Sequence, residues 1–558
     1  MKKFRKLLVC VLSVMMIATL SGAMTASADQ GGDIYVMLAS NVMSLDTNLA
    51  TDGDSFEVIA DCIDGLTQMD AEGSAVPAIA ESWDVSEDGC TYTFHLRDDA
   101  FWTNGEPVTA QDFEFAWKLS MTANVEYNYM FDSSVGAVKN ADAILYEGAD
   151  PDTLGVTAVD DKTLLVELEV PVSFFPSLMY FPTFYPINQA FYESLDEGEY
   201  GTSPYTFLCN GAFVLDDYVP GAASLTVVKN PDYYDADRVS LDSITYQVVG
   251  SSDQALTGFK SGNLDIAMVT GDQVAAVEDD PVLSENLKVT GAGYMWYVTF
   301  SQTQNPSSPE GYLANKNLRL AISNSIDRES LVDNYVMDGS LATYTAVPPQ
   351  FAASATTGED FSGDQTRFAE YIGFDTEKAN AYYEAAKEAL GADSFQFTMI
   401  YGNNEGDEVS KVAQAIKEQV EGALPGVTID LQAMTKAERL EKMQNDDYCI
   451  ALTRWGPDYA DPMTYLGMWT TNNANNYGFW SNADYDALIK DCTSGAYVAD
   501  YDARWEALYE AETLVMQEAV IAPLYTKANA NLIAAGLEGV EFHPVALNRV
   551  YKNATYSK

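Results

Sequence analysis

Residues 454–461 read RWGPDYAD, placing one guanidinium and two carboxylates, Asp458 and Asp461, among tryptophan and tyrosine side chains. Two acids this close could serve as a general acid and base, as in glycoside hydrolysis. A carboxylate in aromatic surroundings could equally hold a ligand cation, because a desolvated ammonium needs an opposite charge within hydrogen-bond reach. Pro457 allows a third reading of Asp458, as a loop acid bonding its own turn. Asp461, just before Pro462, suits the cap of a helix over 463–468.

Other chemistries have less to work with. Paired carboxylates are unspecific among 83 acids, and the sequence contains no GxSxG, HExxH or P-loop text. The two histidines, His95 and His543, leave little for a zinc site or a histidine-based triad, and His95 falls in an alternating strand where it reads as structural. Nothing in the sequence calls for a metal or cofactor. Beyond the first 28 residues the cysteines are Cys62, Cys90, Cys209, Cys449 and Cys492. Their odd count and the lack of a CxxC pair argue against a disulfide framework.

At 558 residues the chain has room for about three domains with full cores. It opens like a secretory signal: Lys2, Lys3, Arg5 and Lys6, an apolar run from Leu7 to Leu20, and small residues ending at Ala28. Ala23 stands where a lipoprotein box would need cysteine, so export without a lipid anchor is expected. Removing the signal leaves 26 basic against 83 acidic residues. Such a surface repels phosphate backbones and anionic lipids, which excludes nucleic acid as a natural partner. The 34 tyrosines favour a binding surface.

The elements that must position these residues alternate between strand and helix. Trp83 and Val85 lead through Glu87-Asp88-Gly89 into alternating Tyr92, Phe94 and Leu96, a hairpin. Thr109 with Asp112 three residues on predicts a capped helix that buries Phe113, Ala116 and Trp117. Leu164, Val166, Leu168 and Val170 predict a further strand. A short helix over QALTGFK gives way to a buried strand with Leu264, Ile266 and Met268 on one face. Residues 312–338 predict two helices separated near Ser325, the second starting at Asp327 and stopping at Gly339. Helices over 376–391 and 407–423 flank a strand through Phe395, Phe397 and Met399, and Val427, Ile429 and Leu431 form another. The loop 352–365, rich in Ser, Thr, Gly and Asp, predicts a mobile connection.

Several of these segments, AESWDVSEDGCTYTFHLRDDAFWTNGEPVTAQDFEFAW (80–117), YGTSPYTFLCNGAFVL (200–215), KNPDYYDADRVSLDSI (229–244), GNLDIAMV (262–269), NKNLRLAISNSIDRESLV (315–332) and WGPDYADPMTYL (455–466), share one resemblance. Together, and in this order, they resemble the oligopeptide-binding branch of bacterial extracellular solute-binding proteins, family 5. The resemblance implies a two-lobed α/β periplasmic-binding-protein-like fold with a ligand cleft between the lobes, one discontinuous lobe and an additional domain. It implies domain I from 29–53, 207–295 and 525–558, domain II from 54–206 and domain III from 296–524. It implies a monomeric receptor, not an enzyme, that hands oligopeptides to an ABC-transporter permease driven by ATPase subunits.

In the family, the aspartate of W-x-x-D-Y takes the peptide's α-ammonium, which here is Asp458, with Trp455 and Gly456 beside the ligand. Backbone contacts fall on Asn41, Val42 and Met43, and a tyrosine facing the ligand on Tyr127 or Tyr129. Asn475, Asn476 and Tyr477 match a polar stretch near the ligand. Where some relatives place an arginine for the peptide's carboxylate this chain has Leu452, with Arg454 two residues later on the same strand face; Arg454 either serves that carboxylate or pairs with a surface acid. Relatives of the same fold carry oligosaccharides or metal complexes, so a non-peptide solute stays an alternative.

Overall fold

The computed structural model describes residues 32–557 apart from 71–73, 123–124, 173 and 355. The export-signal reading concerns residues 1–28 and lies outside the described residues. Among the described residues, no helix is long and apolar enough to cross a membrane.

The largest sheet has eleven strands and runs through the whole molecule. Its middle is an antiparallel pair of long strands, Leu287–Phe300 and Ile521–Ile533. On one side follow Ile450–Trp455, Phe395–Gly402 and Val427–Met434; on the other, Ile266–Val269, Asp33–Leu38, Ser243–Val248, Ser224–Lys229 and Phe213–Asp217. The long pair belongs to both halves, so the expected domain boundaries at 295/296 and 524/525 fall inside hydrogen-bonded strands rather than in loops.

Each half is built by the burial of alternating residues. Phe395, Phe397 and Met399 turn to one face and meet the stripe Val409, Val412, Ala413, Ile416 and Val420 of the helix Asp407–Ala423. In the other half a separate four-stranded sheet contains the expected hairpin, Ala80–Val85 with Thr91–Leu96, Trp83 standing opposite Phe94. The helix Ala110–Ser120 follows it, closed by the Thr109–Asp112 capping box and burying Phe113, Ala116 and Trp117.

The strand Ile266–Val269 is buried as expected, with Ile266, Ala267 and Val269 all inaccessible, because it lies inside the sheet between Asp33–Leu38 and Ile521–Ile533. Two expectations are corrected. The helix capped by Asp327 passes from Arg328–Leu331 into a π turn, Val332–Val336, and stops at Met337 (φ 55°), two residues before Gly339. The loop 352–365 is anchored: Phe361 is buried and stacks on Tyr509 at 4.5 Å, while Gln365 accepts from the Tyr344 N–H at 2.9 Å. Apolar Phe361 outweighs the polar composition around it.

Candidate functional site

The strand Ile450–Trp455 pairs with Leu287–Phe300 so that Arg454 lies opposite Trp296 and Trp455 opposite Met295. Leu452 is fully buried in the core. Arg454, two residues on, keeps 28% of its side chain exposed. The strand therefore begins as core and ends as cleft wall. Opposite its end, the register of the long pair slips between Gly291 and Met295. Gly293 (φ +69°) occupies that bulge, where an added Cβ would stand 2.3 Å from the Pro544 carbonyl oxygen. The bulge re-aims Tyr294: its ring covers Gly456, where any Cβ would come within 2.3 Å of it, and carries the Arg454 guanidinium 4.5 Å above its centroid.

Beyond Pro457 the Asp458 N–H donates to Thr464 Oγ1 at 3.2 Å, tying the loop to the short helix Met463–Leu466. The Asp458 carboxylate receives the Tyr129 hydroxyl at 2.5 Å, a contact between residues 329 apart in sequence. Burial pushes the Asp458 carboxyl up to about 6; the Tyr129 hydrogen bond opposes the rise and the Glu126 charge adds to it. Tyr127 takes a different place, its ring edge-on to Phe56 at 5.6 Å and tilted on Phe181 at 4.9 Å. Both tyrosines face the cleft, and Tyr129 supplies the hydroxyl on Asp458.

The cleft encloses about 920 Å³, and Tyr127, Tyr129, Arg454, Trp455, Gly456 and Asp458 line it. That volume is near the upper end of the about 300–1,000 Å³ usual for ligand pockets. Sequence reasoning missed Glu126, Tyr294, Lys436, Arg439 and Lys490, which line it too. The Trp455 indole Nε1 is buried with no hydrogen-bond partner among the described residues. Asn475 and Tyr477 line the cleft. Asn476 instead is buried and donates to the carbonyls of Thr470 and Trp480 at 3.0 and 2.7 Å, a turn clamp rather than a ligand contact.

Arg454 does pair with an acid, but a buried one. Its Nε lies 3.4 Å from Glu405, whose other oxygen is 2.8 Å from the buried Arg439 guanidinium. Two guanidiniums on one carboxylate leave one positive charge at this end of the cleft. Asn41, Val42 and Met43 are not among the lining residues. The Asn41 amide donates to the Gly221 and Ala222 carbonyls at 2.8 and 2.9 Å, and the Val42 carbonyl accepts from the Gly221 N–H at 3.0 Å, so these groups hold the hairpin turn at 219–222.

Asp461 caps as expected, accepting from the Met463 N–H at 3.0 Å, but its larger bond is bidentate to the buried Arg504, at 2.9 and 2.8 Å. Both its oxygens are thereby held by a guanidinium, and it does not line the cleft with Asp458. This geometry keeps Asp458 and Asp461 from facing one another across the site, contrary to the acid–base reading of RWGPDYAD.

The arrangement suits a reversible ligand grip: a desolvated acid at one place, surplus cations at another, and aromatic walls between. A family model, "Bacterial extracellular solute-binding proteins, family 5 Middle", matches residues 74–477. The dipeptide-binding protein of Lactococcus lactis subsp. cremoris is 30% identical over 533 residues, 94% of this chain and 94% of that protein. The substrate-binding domain of an oligopeptide ABC transporter from Bacillus anthracis superposes with a TM-score of 0.77 at 33% identity, covering 95% of this chain and 99% of the other. Peptide-bound OppA of Listeria monocytogenes gives 0.76 at 30% identity, covering 95% and 100%. With most of its length matched in sequence and in fold, the chain belongs to the bacterial extracellular solute-binding proteins, family 5.

Proposed function

We propose that this protein captures oligopeptides in the cleft outside the cell and delivers them to the permease of an ABC importer powered by ATPase subunits. Asp458 receives the α-ammonium of the peptide. The observation that carries this reading is the state of Asp458: it faces the cleft, is desolvated enough to titrate near 6, and holds a tyrosine hydroxyl but no basic side chain among the described residues. A buried acid in that condition gains most from a ligand cation. The surplus charge of Arg454 and Arg439 is available to a peptide carboxylate, main-chain or side-chain.

Extended peptides suit such a cleft because their backbone groups are the same whatever their sequence, and bridging waters costing about 0–2 kcal/mol each absorb side-chain variety. The division into domains I, II and III, the monomeric state, and signal cleavage after Ala28 without a lipid anchor belong to the same proposal.

The test is calorimetry with a mixed tri- to pentapeptide library, the same peptides N-acetylated, and Asp458→Ala. Free-amine peptides are expected to bind. Acetylation or the substitution is expected to cost at least about 2 kcal/mol, about 30-fold in Kd. Equal affinity of acetylated and free peptides would remove Asp458 from the mechanism. If no peptide binds at all and native protein releases a single non-peptide solute on denaturation, the peptide reading itself fails.

A further inference from the structure

Two of the cysteines stand apart from the others. Cys90, Cys449 and Cys492 direct their thiols at backbone carbonyls, of Asp88, Ser307 and Arg504. Cys62 and Cys209 are both fully inaccessible free thiols, and the nearness of Cys209 adds to the rise of the Cys62 thiol. Their chain segments are clamped together. The Cys62 carbonyl accepts from the N–H groups of Asn210 and Gly211 at 3.0 and 2.8 Å, and the Asn210 side-chain oxygen accepts from the Asp64 N–H at 2.7 Å. Gly211 permits this approach, since an added Cβ would meet the Cys62 carbonyl carbon at 2.7 Å.

We propose that Cys62 and Cys209 are oxidised to a disulfide that staples the two points where the chain enters and leaves the part of the molecule carrying Tyr127 and Tyr129. Cys62 ends the helix Gly53–Cys62, and Cys209 precedes the strand Phe213–Asp217, so the bond would close a loop of about 150 residues; cross-links over long loops restrict the unfolded chain most. The family acts outside the cytosol, where disulfides persist. Two S–H bonds break and one S–S bond forms. The two electrons and two protons pass to the disulfide of an extracytoplasmic thiol–disulfide oxidoreductase, which leaves as its dithiol, through a mixed disulfide with one of the two cysteines.

Burial pushes the Cys62 thiol well above its ordinary range, and neither sulfur is exposed, so the exchange belongs to folding, before the clamp closes.

The mature chain, residues 29–558, is refolded from reduced denaturant with oxidised glutathione and a disulfide oxidoreductase, then alkylated under denaturing conditions and digested without reduction. The expected result is one cross-linked peptide joining Cys62 and Cys209, with Cys90, Cys449 and Cys492 alkylated, and a melting temperature that falls when wild type is reduced but is indifferent to reductant in Cys209→Ser. Alkylation of all five cysteines, or a bond through any other cysteine, overturns the assignment. A melting temperature equal in both redox states of wild type overturns the stapling role.

Discussion

Asp458 is costly to the empty protein and useful to the loaded one. Its carboxyl ordinarily titrates at 3.8 and here is held near 6 by burial. The folded state therefore binds a proton more readily than the unfolded chain between those values, and stability at this site falls as pH rises through the window. Asp458→Asn is expected to stabilise ligand-free protein above pH 6, by at most about 3 kcal/mol, and to be neutral below the unfolded value; denaturant midpoints at several pH values read this out. A bound ammonium reverses the balance by favouring the ionised form. Affinity for free-amine peptides is thus expected to weaken below pH 6, approaching tenfold per pH unit, with proton release visible as a buffer-dependent heat. Tyr129→Phe removes the hydrogen bond that opposes the rise, so the same calorimetric pH profile is expected to shift its midpoint upward. Asp458 and Arg454 were legible in RWGPDYAD as cleft candidates, and both line the cleft, while Leu452 is core. Glu126, Tyr294, Lys436 and Arg439 were not legible, because a residue's place on a cleft depends on which distant segment faces it.

At the scale of elements, local signals were read well where the physics is local. The Thr109–Asp112 capping box closes its helix, and the helix expected over 376–391 runs Thr376–Leu390 with Gly391 (φ +64°) as its end. Strand partners were not legible: the sequence marks Ile266–Val269 as a buried strand but not its neighbours, Asp33–Leu38 and Ile521–Ile533. The bulge that aims Tyr294 had a faint mark in the pair Gly291 and Gly293. Asp461 illustrates a cap that proved to be a cross-brace. It joins the loop after Trp455 to the helix Tyr501–Gln517 through Arg504, with both groups buried. Removing one partner leaves the other charge uncompensated, so Asp461→Asn is expected to cost about 3–5 kcal/mol in denaturant unfolding. Folded Asp461→Asn should keep its peptide affinity, which separates the brace from the grip at Asp458.

The whole molecule places its acid and its surplus cations around one cleft in a chain whose net charge is −53. Peptide binding is expected to raise the melting temperature with ligand concentration and to lower the radius of gyration in solution scattering as the lobes close; an unchanged radius at saturation would argue for a rigid cleft. The central strand pair has a further consequence for how such a molecule comes into being. Ile521–Ile533 lies between Leu287–Phe300 and Ile266–Val269, so without it the strands on its two sides lose their connection within the sheet and the short strand Leu341–Ala342 loses its pairing. A chain threaded from its N-terminus gains this strand only after more than 500 residues have passed. Long-range pairings of this kind form late, because loop closure must precede their reward. The nascent polypeptide consequently lacks the seam joining its halves for most of its synthesis.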